Sequence, residues 1–202
     1  MDIDIQNSLD RHEVLRKLPE INEIENKNIR ENVVDAFVNL CPDYFWSVPA
    51  SSSGNYHPKD HRDARGLWLH TKRAFTEYER FAPSFYHQER INKNDLDYGR
   101  SAILLHDMFK YGWPKQNHTT KNHDTLAAEI LEENTDLDQK IIDCVDSHNG
   151  PWYKGSDPDT DLELLHHMAD MAASDVNNPD IAVLDPSREL KKSFPSVNKM
   201  SK

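Results

Sequence analysis

The sequence predicts an all-α protein, and three observations support that prediction. Apolar residues recur at spacings of three and four along several segments, as in amphipathic helices. The breaks between these segments are rich in Pro, Gly or Asn, for example YGWPKQN and NGPWYKGSDPD. The alternation of apolar and polar residues that marks a half-buried strand is hard to find. We therefore expect a bundle of helices.

The predicted helices follow one another between residues 29 and 175. In IRENVVDAFVNL, residues 29–40, Val33, Phe37 and Leu40 share one face, and Pro42 ends the pattern. Further helices are predicted at about 67–81, 95–110, 123–134, 137–148 and 161–175. Residues 47–66, SVPASSSGNYHPKDHRDARG, are interpreted as a long loop. Loops of that length in a compact domain are usually functional or disordered.

The length of 202 residues is sufficient for one domain with a substantial core. We expect an N-terminal helical segment at 1–50 that packs on a domain at 51–176, and a polar C-terminal tail at 177–202. The formal net charge of −11 argues against a broad basic surface that binds duplex nucleic acid. Binding of a small anionic ligand is still compatible with this charge.

The chain offers no signal for export or membrane insertion. Its start is charged and lacks the apolar stretch of a signal peptide, and no run approaches the ~20 apolar residues of a membrane span. The two cysteines do not form a C-x-x-C motif. We expect a cytoplasmic protein with no membrane partner, and the sequence is compatible with a homo-oligomer.

Histidines are concentrated in the middle of the chain. All but His12 of the eleven histidines lie between His57 and His167. Among them, His123 and His148 fall on the apolar faces of their predicted helices, so both imidazoles should point inward. A His-Asp pair also ends the apolar run AILLHDMFKYG, where it is either a packing pair or a cation site. Because buried imidazoles and carboxylates are costly without a partner, we interpret the set as metal ligands.

The candidate ligands are imidazoles and carboxylates from several helices or helix ends that could converge on one core. They are His70, His106, Asp107, His123, His148 and Asp170. Such nitrogen and oxygen donors suit Mn, Fe, Co, Ni or Zn, with Mg as a further candidate. A bridging carboxylate such as Asp107 could hold two ions about 3.5–4 Å apart. We therefore expect two divalent metal ions that activate water and polarise a phosphoryl oxygen.

Five ordered segments carry a resemblance to a known family. LWLHTKRAF, LLHDMFK, HDTLAAEIL, VDSHNG and HHMADMAASD resemble the motif set of the HD-domain metal-dependent phosphohydrolases, over roughly residues 57–175. The minimal signature of that family corresponds to His70, to the pair His106 and Asp107, and to Asp170. The resemblance implies an HD-domain helical bundle, and family members with a second metal add two histidines that correspond to His123 and His148.

A second resemblance concerns the lead-in to the first ligand. YHPKDHRDARGLWLHT is similar to the corresponding stretch of HD proteins of the 3′-to-5′ exoribonuclease-like type. That stretch usually has two glycines where this chain has Arg65 and Gly66, and Asn149 stands where a second histidine is usual.

Several residues are candidates for contact with a substrate. Lys110 lies one turn after Asp107, near enough to meet a phosphate, and corresponds to a lysine that many HD proteins carry. Asp107 and Lys110 are therefore the predicted catalytic residues. The predicted substrate-binding residues are Lys110, His57, Lys72, Arg73 and Asn149. Trp113, Trp152 and Tyr153 follow proposed ligands on loops and are candidates for stacking on a base or for packing.

These observations predict a metal-dependent phosphohydrolase that cleaves a phosphoester of a nucleotide or of a nucleic-acid end by metal-activated water. Its partner would be a nucleotide or a short single-stranded nucleic acid. One alternative is a 3′-to-5′ exonuclease or cyclic-nucleotide phosphodiesterase, which the lead-in favours, whereas the net acidity favours a nucleotidase. The other alternative is a non-catalytic HD module that binds metal for regulation, and the complete ligand set argues against it.

Overall fold

A computed structural model describes residues 9–53, 57–152 and 155–176. Within these residues the chain forms seven α-helices and no strand, so the predicted all-α fold is confirmed. The α-helices are α1 (Arg11–Lys17), α2 (Lys27–Leu40), α3 (Gly66–His87), α4 (Lys93–Leu105), α5 (His123–Asn134), α6 (Gln139–Ser147) and α7 (Asp161–Ser174). Short 3-10 helices lie at Pro19–Glu23, Asp43–Trp46, Lys59–His61 and Gly150–Trp152.

The long helix α3 lies at the centre of the bundle. It packs along α7 and against α4, while α4 also contacts α6 and α7, and α5 pairs with α6. One apolar core runs through these helices and includes Phe37, Phe75, Ile103, Leu131 and Leu165. Burying an apolar side chain of this size contributes roughly 1.5–3 kcal/mol. The three helices α3, α4 and α7 therefore meet at one place in the interior.

The N-terminal helices are tied to α3 by polar contacts. Trp68 donates from its indole nitrogen to the carbonyl oxygen of Lys17, at 3.1 Å. Lys72 pairs with the carboxylate of Glu20 in the short helix that follows α1. Since Lys17 is the last residue of α1, α3 supplies a partner for a carbonyl that has none within its own helix.

The packing of these helices does not define the predicted domain limits. The divisions at 1–50 and 51–176 stay predictions, and the predicted tail at 177–202 lies outside the described residues. In the described part of the chain, no helix combines the length and apolar character that crossing a bilayer requires.

Helix α3 is longer than the sequence predicts. The sequence predicts an end at about residue 81, whereas Pro83, which lacks an N–H group and whose ring clashes with the preceding turn, lies beyond that point. The helix instead continues through Pro83 to His87. Beyond the proline, Phe85 is buried, and the guanidinium of Arg90 lies 4.3 Å from the centre of its ring. Packing of the last turn thus offsets a cost of about 3 kcal/mol for an interior proline.

Candidate metal centre

The His106–Asp107 pair lies directly after α4, where the helix changes into a series of turns. The sequence predicts a helix to residue 110, but α4 ends at Leu105. The N–H of Lys110 donates to the carbonyl of Asp107, three residues earlier, instead of four as in an α-helix. This tighter winding is accompanied by contact between the two side chains, with Lys110 Nζ 2.6 Å from Asp107 Oδ2.

Two histidines and two aspartates from three helices form the first half of the cluster. His70 of α3 and Asp170 of α7 meet His106 and Asp107 at the end of α4. His70 Nε2 lies 2.9 Å from Asp170 Oδ1 and 3.4 Å from Asp107 Oδ2. His106 Nε2 lies 3.3 Å from Asp107 Oδ2 and 3.5 Å from Asp170 Oδ1. All four side chains are buried, so their nitrogen and oxygen atoms face one another inside the bundle.

The second half of the cluster contains His123 and His148. Their Nε2 atoms lie 3.2 Å and 3.5 Å from Asp107 Oδ1 and 3.2 Å from each other. Asp107 therefore presents Oδ2 to one pair of histidines and Oδ1 to another. This is the arrangement expected of a carboxylate that bridges two metal ions.

Three of these histidines share the same backbone contact. In His106, His123 and His148, Nδ1 lies 2.8 Å, 2.7 Å and 2.6 Å from the carbonyl oxygen three residues earlier. Because a carbonyl oxygen can only accept, each Nδ1 carries a proton and donates it. In a neutral ring, Nε2 is then the unprotonated nitrogen. Hydrogen bonds of this kind fix the orientation of metal-binding histidines.

The carboxylates are ionised in spite of their burial. Burial alone would raise the pKa of Asp107, but Lys110 and His106 outweigh it and hold that pKa well below its usual range. Burial would also raise the pKa of Asp170, and the close approach of His106 and His70 lowers it well below its usual range. The effect is mutual: burial would lower the pKa of His106, and the two carboxylates raise it to about 10.

The donor atoms of the cluster fit a divalent metal ion. In the part of the chain that the structure describes, Asp107 Oδ1 and Asp170 Oδ1 are buried and accept no well-oriented hydrogen bond. Such orphaned oxygens are costly unless a cation or donor meets them. Within this cluster, two groups have donor atoms within 4.8 Å of one another: His70 with His106 and Asp170, and His106 with Asp107 and His148. Mixed imidazole and carboxylate donors suit first-row transition metals and zinc.

Comparison with known families places this cluster in context. The sequence matches the HD domain family over residues 70–185, which is more than half of the chain. The chain is an HD-domain protein. The resemblance inferred from the five segments is thus confirmed, and an HD domain with buried His and Asp groups indicates a metal-dependent phosphohydrolase. Comparisons of this HD protein with curated proteins and with solved structures found no significant match.

Besides Lys110, two of the predicted substrate-binding residues lie beside the cluster. The ring centres of His57 and His70 are 4.8 Å apart. Asn149 Nδ2 lies 2.8 Å from His148 Nε2 and 3.1 Å from His123 Nε2. Asn149 therefore contacts both histidines of the second half of the cluster.

Lys72 and Arg73 of this HD domain are not brought into the cluster. Lys72 is buried against the N-terminal segment, where its ammonium group pairs with Glu20. Arg73 is also buried, and its charge acts on His61. Burial, His70 and then Arg73 lower the pKa of His61 to about 3. The charge of Lys72 is thus directed to the N-terminal segment.

The aromatic residues that follow the ligands have different surroundings. Trp152 is 73% exposed and lies in the short helix directly after Asn149. Trp113 is partly buried and packs against the apolar core. Tyr153 lies outside the described residues.

The sequence reasoning missed Asp124, which follows His123. Asp124 is buried, and its Oδ2 atom accepts hydrogen bonds from Asn149 Nδ2 at 3.4 Å and from the N–H of Gly155 at 3.2 Å. It thereby positions the amide that contacts the two histidines. The available signal was the repetition of the His-Asp dipeptide at 123–124.

His166 is a further buried imidazole next to the cluster. Its ring centre lies 5.7 Å from that of His106 and 6.3 Å from that of His148. Neither of its ring nitrogens has a hydrogen-bond partner among the described residues. Burial, followed by His106, holds its pKa well below the ordinary value.

Proposed function

We propose that this HD domain hydrolyses a phosphoester of a nucleotide or of a nucleic-acid end. The observation that carries the proposal is the position of Asp107 between two pairs of histidines, with the Lys110 ammonium on the same carboxylate. Bound metal ions would supply polarisation of the phosphoryl group and activation of water. The residues that would hold them are His70, His106, Asp107, His123, His148 and Asp170.

The chain's own side chains would then have two kinds of role. Asp107 and Asp170 bring negative charge into a buried site, and the histidines supply nitrogen donors. Lys110 lies within hydrogen-bond distance of Asp107, so its ammonium group can turn to a phosphate oxygen when that carboxylate is engaged. A cation in this position stabilises the negative charge that develops on the phosphate and the leaving group. The proposal requires no nucleophilic side chain.

A second candidate is a 3′-to-5′ exonuclease or a cyclic-nucleotide phosphodiesterase. It is supported by His57, which belongs to the lead-in similar to the exoribonuclease-like HD proteins and lies beside His70. The net charge of −11 supports the nucleotidase instead, because it opposes a grip on a long polyanion.

A substrate panel separates these activities. The purified chain, loaded in turn with Mn²⁺, Fe²⁺, Co²⁺, Ni²⁺, Zn²⁺ or Mg²⁺, is incubated with nucleoside phosphates, cyclic nucleotides and short single strands, and the products are separated by chromatography. We expect hydrolysis of nucleotides that stops on addition of a chelator. Degradation of oligonucleotides alone, from one end, would replace the nucleotidase with an exonuclease, and a metal-loaded protein that cleaves nothing would favour the regulatory module.

Two variants at positions whose side chains are in contact separate metal binding from catalysis. Asp107→Asn removes the bridging charge, so metal affinity should fall by at least about 10–100-fold and turnover should become hard to detect. Lys110→Met removes a cation that competes for Asp107, so metal affinity should be kept or increased while turnover falls by about 10²–10³-fold. Both are measured on one preparation by elemental analysis, circular dichroism and hydrolysis. A folded Asp107→Asn protein with near-normal turnover would contradict the proposal.

A further inference from the structure

A second group of histidines lies next to the Asp107 centre. His57 and His61, from the loop before α3, are 4% and 1% exposed and face His70 of α3. The ring centres of His57 and His61 lie 4.8 Å and 6.0 Å from that of His70, and 6.4 Å from each other. Each of the three residues offers a nitrogen, and these nitrogens all lie within 4.8 Å of one another. Three imidazole nitrogens thus lie close enough together to bind one cation.

The ring nitrogens of this group lack the partners that the other histidines have. In the described part of the chain, Nδ1 of His57, His61 and His70 is buried without a hydrogen bond. By contrast, Nδ1 of His106 donates to a backbone carbonyl. A buried nitrogen without a partner costs free energy, and each of these three imidazoles carries one. A bound ion that engages these rings would remove part of that cost.

The loop that carries His57 and His61 is fixed by backbone contacts. The N–H of Ala50 donates to the carbonyl of His61 at 2.9 Å, and Arg62 Nε donates to the carbonyl of His57 at 2.8 Å. Gly66, the first residue of α3, lies so close to the loop that a Cβ atom there would be 1.9 Å from the carbonyl oxygen of His61. Both imidazoles are therefore held in place against α3.

We propose that His57, His61 and His70 form an additional binding site for a divalent cation that prefers nitrogen donors, such as Zn²⁺ or Co²⁺. His70 belongs to this group and to the group with His106 and Asp170, so the additional site adjoins the Asp107 centre. The set contains no carboxylate. Ions such as Mn²⁺ and Mg²⁺ prefer oxygen donors, so they should not occupy it. The inference concerns binding alone and is independent of the reaction that the protein catalyses.

The test is a count of bound metal. Metal-free protein is dialysed separately against Co²⁺ and against Mn²⁺, and the bound ions are measured by elemental analysis. We expect the wild-type chain to bind one more molar equivalent of Co²⁺ than of Mn²⁺. Equal numbers would overturn the proposal. This is the result expected if a buried water molecule, and not a metal ion, lies between the three nitrogens.

A double variant assigns the additional ion to the loop. In His57→Leu/His61→Leu, the side chains keep a similar volume and lose the unpartnered nitrogens, so the fold should be retained. The variant should lose one equivalent of Co²⁺ and keep the wild-type number of Mn²⁺. Asp107→Asn is the matched control, because it weakens the Asp107 centre and should keep the ion at the loop. A folded double variant with undiminished Co²⁺ would refute the assignment, whatever the hydrolysis assays give.

Discussion

At the scale of single residues, the same surroundings shift the pKa values of neighbouring histidines in opposite directions. The two carboxylates prevail over burial at His106 and raise its pKa to about 10. At His70 and His123 burial prevails, and the pKa is lowered. Without a metal ion, His106 therefore carries a proton that compensates Asp107 and Asp170. In the metal-free protein this proton compensates part of the negative charge that a divalent ion would otherwise compensate.

Metal binding should release the proton of His106. With a pKa raised to about 10, this imidazole is protonated at pH 8 and must become neutral to donate a lone pair to an ion. Calorimetry at pH 8 in buffers of different ionisation enthalpy should therefore give close to one proton released per protein. Metal affinity should rise with pH up to about 10. Binding heats that do not depend on the buffer would show that His106 is neutral before metal arrives.

His166→Leu should stabilise the metal-free protein. The change replaces a fully buried imidazole, whose two nitrogens have no partner among the described residues, by an apolar side chain of similar volume. We expect the free energy of unfolding to rise by about 1–2 kcal/mol in urea titrations, with metal content unchanged. His12→Leu, outside the bundle core, is the control for a change of histidine content. A loss of bound metal in His166→Leu would instead make His166 part of the metal centre.

At the scale of elements, the start of α3 depends on a glycine. Gly66 allows the loop and the helix to approach closely, as its missing Cβ leaves room for the carbonyl of His61. A second contact joins the start of the helix to the segment before it: the N–H of Leu67 donates to the carbonyl oxygen of Val48 at 3.0 Å. The position of His61 is therefore coupled to the first turn of the helix that carries His70.

Gly66→Ala should displace this loop. The new methyl group would meet backbone atoms that cannot rotate away, so we expect a destabilisation of about 1–3 kcal/mol and loss of the additional Co²⁺ equivalent. Gly99→Ala is the matched control, because its Cβ would meet the Tyr78 side chain, 2.2 Å from the hydroxyl oxygen, and not the loop. Unfolding curves and metal counts of both variants provide the comparison. A Gly66→Ala protein as stable as wild type would contradict the close approach.

The helix ends show which parts of the fold can be predicted from the sequence. Helix α5 is predicted at 123–134 and lies at His123–Asn134, because its apolar period and its ends are local. The end of α3 depends on tertiary packing around Phe85, and the end of α4 on the turns at the His-Asp pair, so neither follows from local periodicity. Helix ends that depend on tertiary packing are therefore the part of the fold that local sequence patterns predict least well.

The same limit applies to the site. The six candidate ligands fall on periodic helices or their ends, so the sequence could place them on faces that meet. His61 lies in a loop without a period, and no pattern distinguishes it from an exposed histidine. Lys72 was expected near the substrate, but its partner Glu20 is 52 positions away along the chain. A contact over such a separation cannot be read from spacing on one helix.

At the scale of the whole molecule, the bundle encloses many ionisable groups in one region. Burial, as the largest cause, lowers the pKa of His57, His61, His70, His123 and His166. In the unfolded chain these histidines would take up protons below a pH of about 6.5. The folded, metal-free protein therefore binds fewer protons than the unfolded chain in acid.

The stability of the metal-free protein should pass through a maximum near pH 6.5. Below that pH each buried neutral histidine lowers the free energy of unfolding by up to ~1.4 kcal/mol per pH unit. Above it, His106, whose pKa is raised, loses its contribution progressively up to about pH 10. Urea titrations in a chelator between pH 4 and pH 9 measure this profile.

The loop variants provide the control for this profile. His57→Leu/His61→Leu should flatten the acid side, since two of the groups that cannot be protonated in the fold are gone, and should leave the alkaline side unchanged. Stability that stays constant between pH 6.5 and pH 5 would mean that the buried histidines take up protons in the folded state.

The exposure of Trp152 has an optical consequence. The chain contains four tryptophans, of which Trp46 and Trp68 are buried, Trp113 is partly buried and Trp152 is 73% exposed. The backbone N–H of Trp152 donates to the carbonyl oxygen of Asn149 at 3.4 Å, so the residue follows directly on the segment that carries His148 and Asn149. Acrylamide should therefore quench this indole first, and its emission should lie at the longest wavelength of the four. Binding can then be followed without a label. A molecule that binds near Trp152 should protect this one indole from acrylamide.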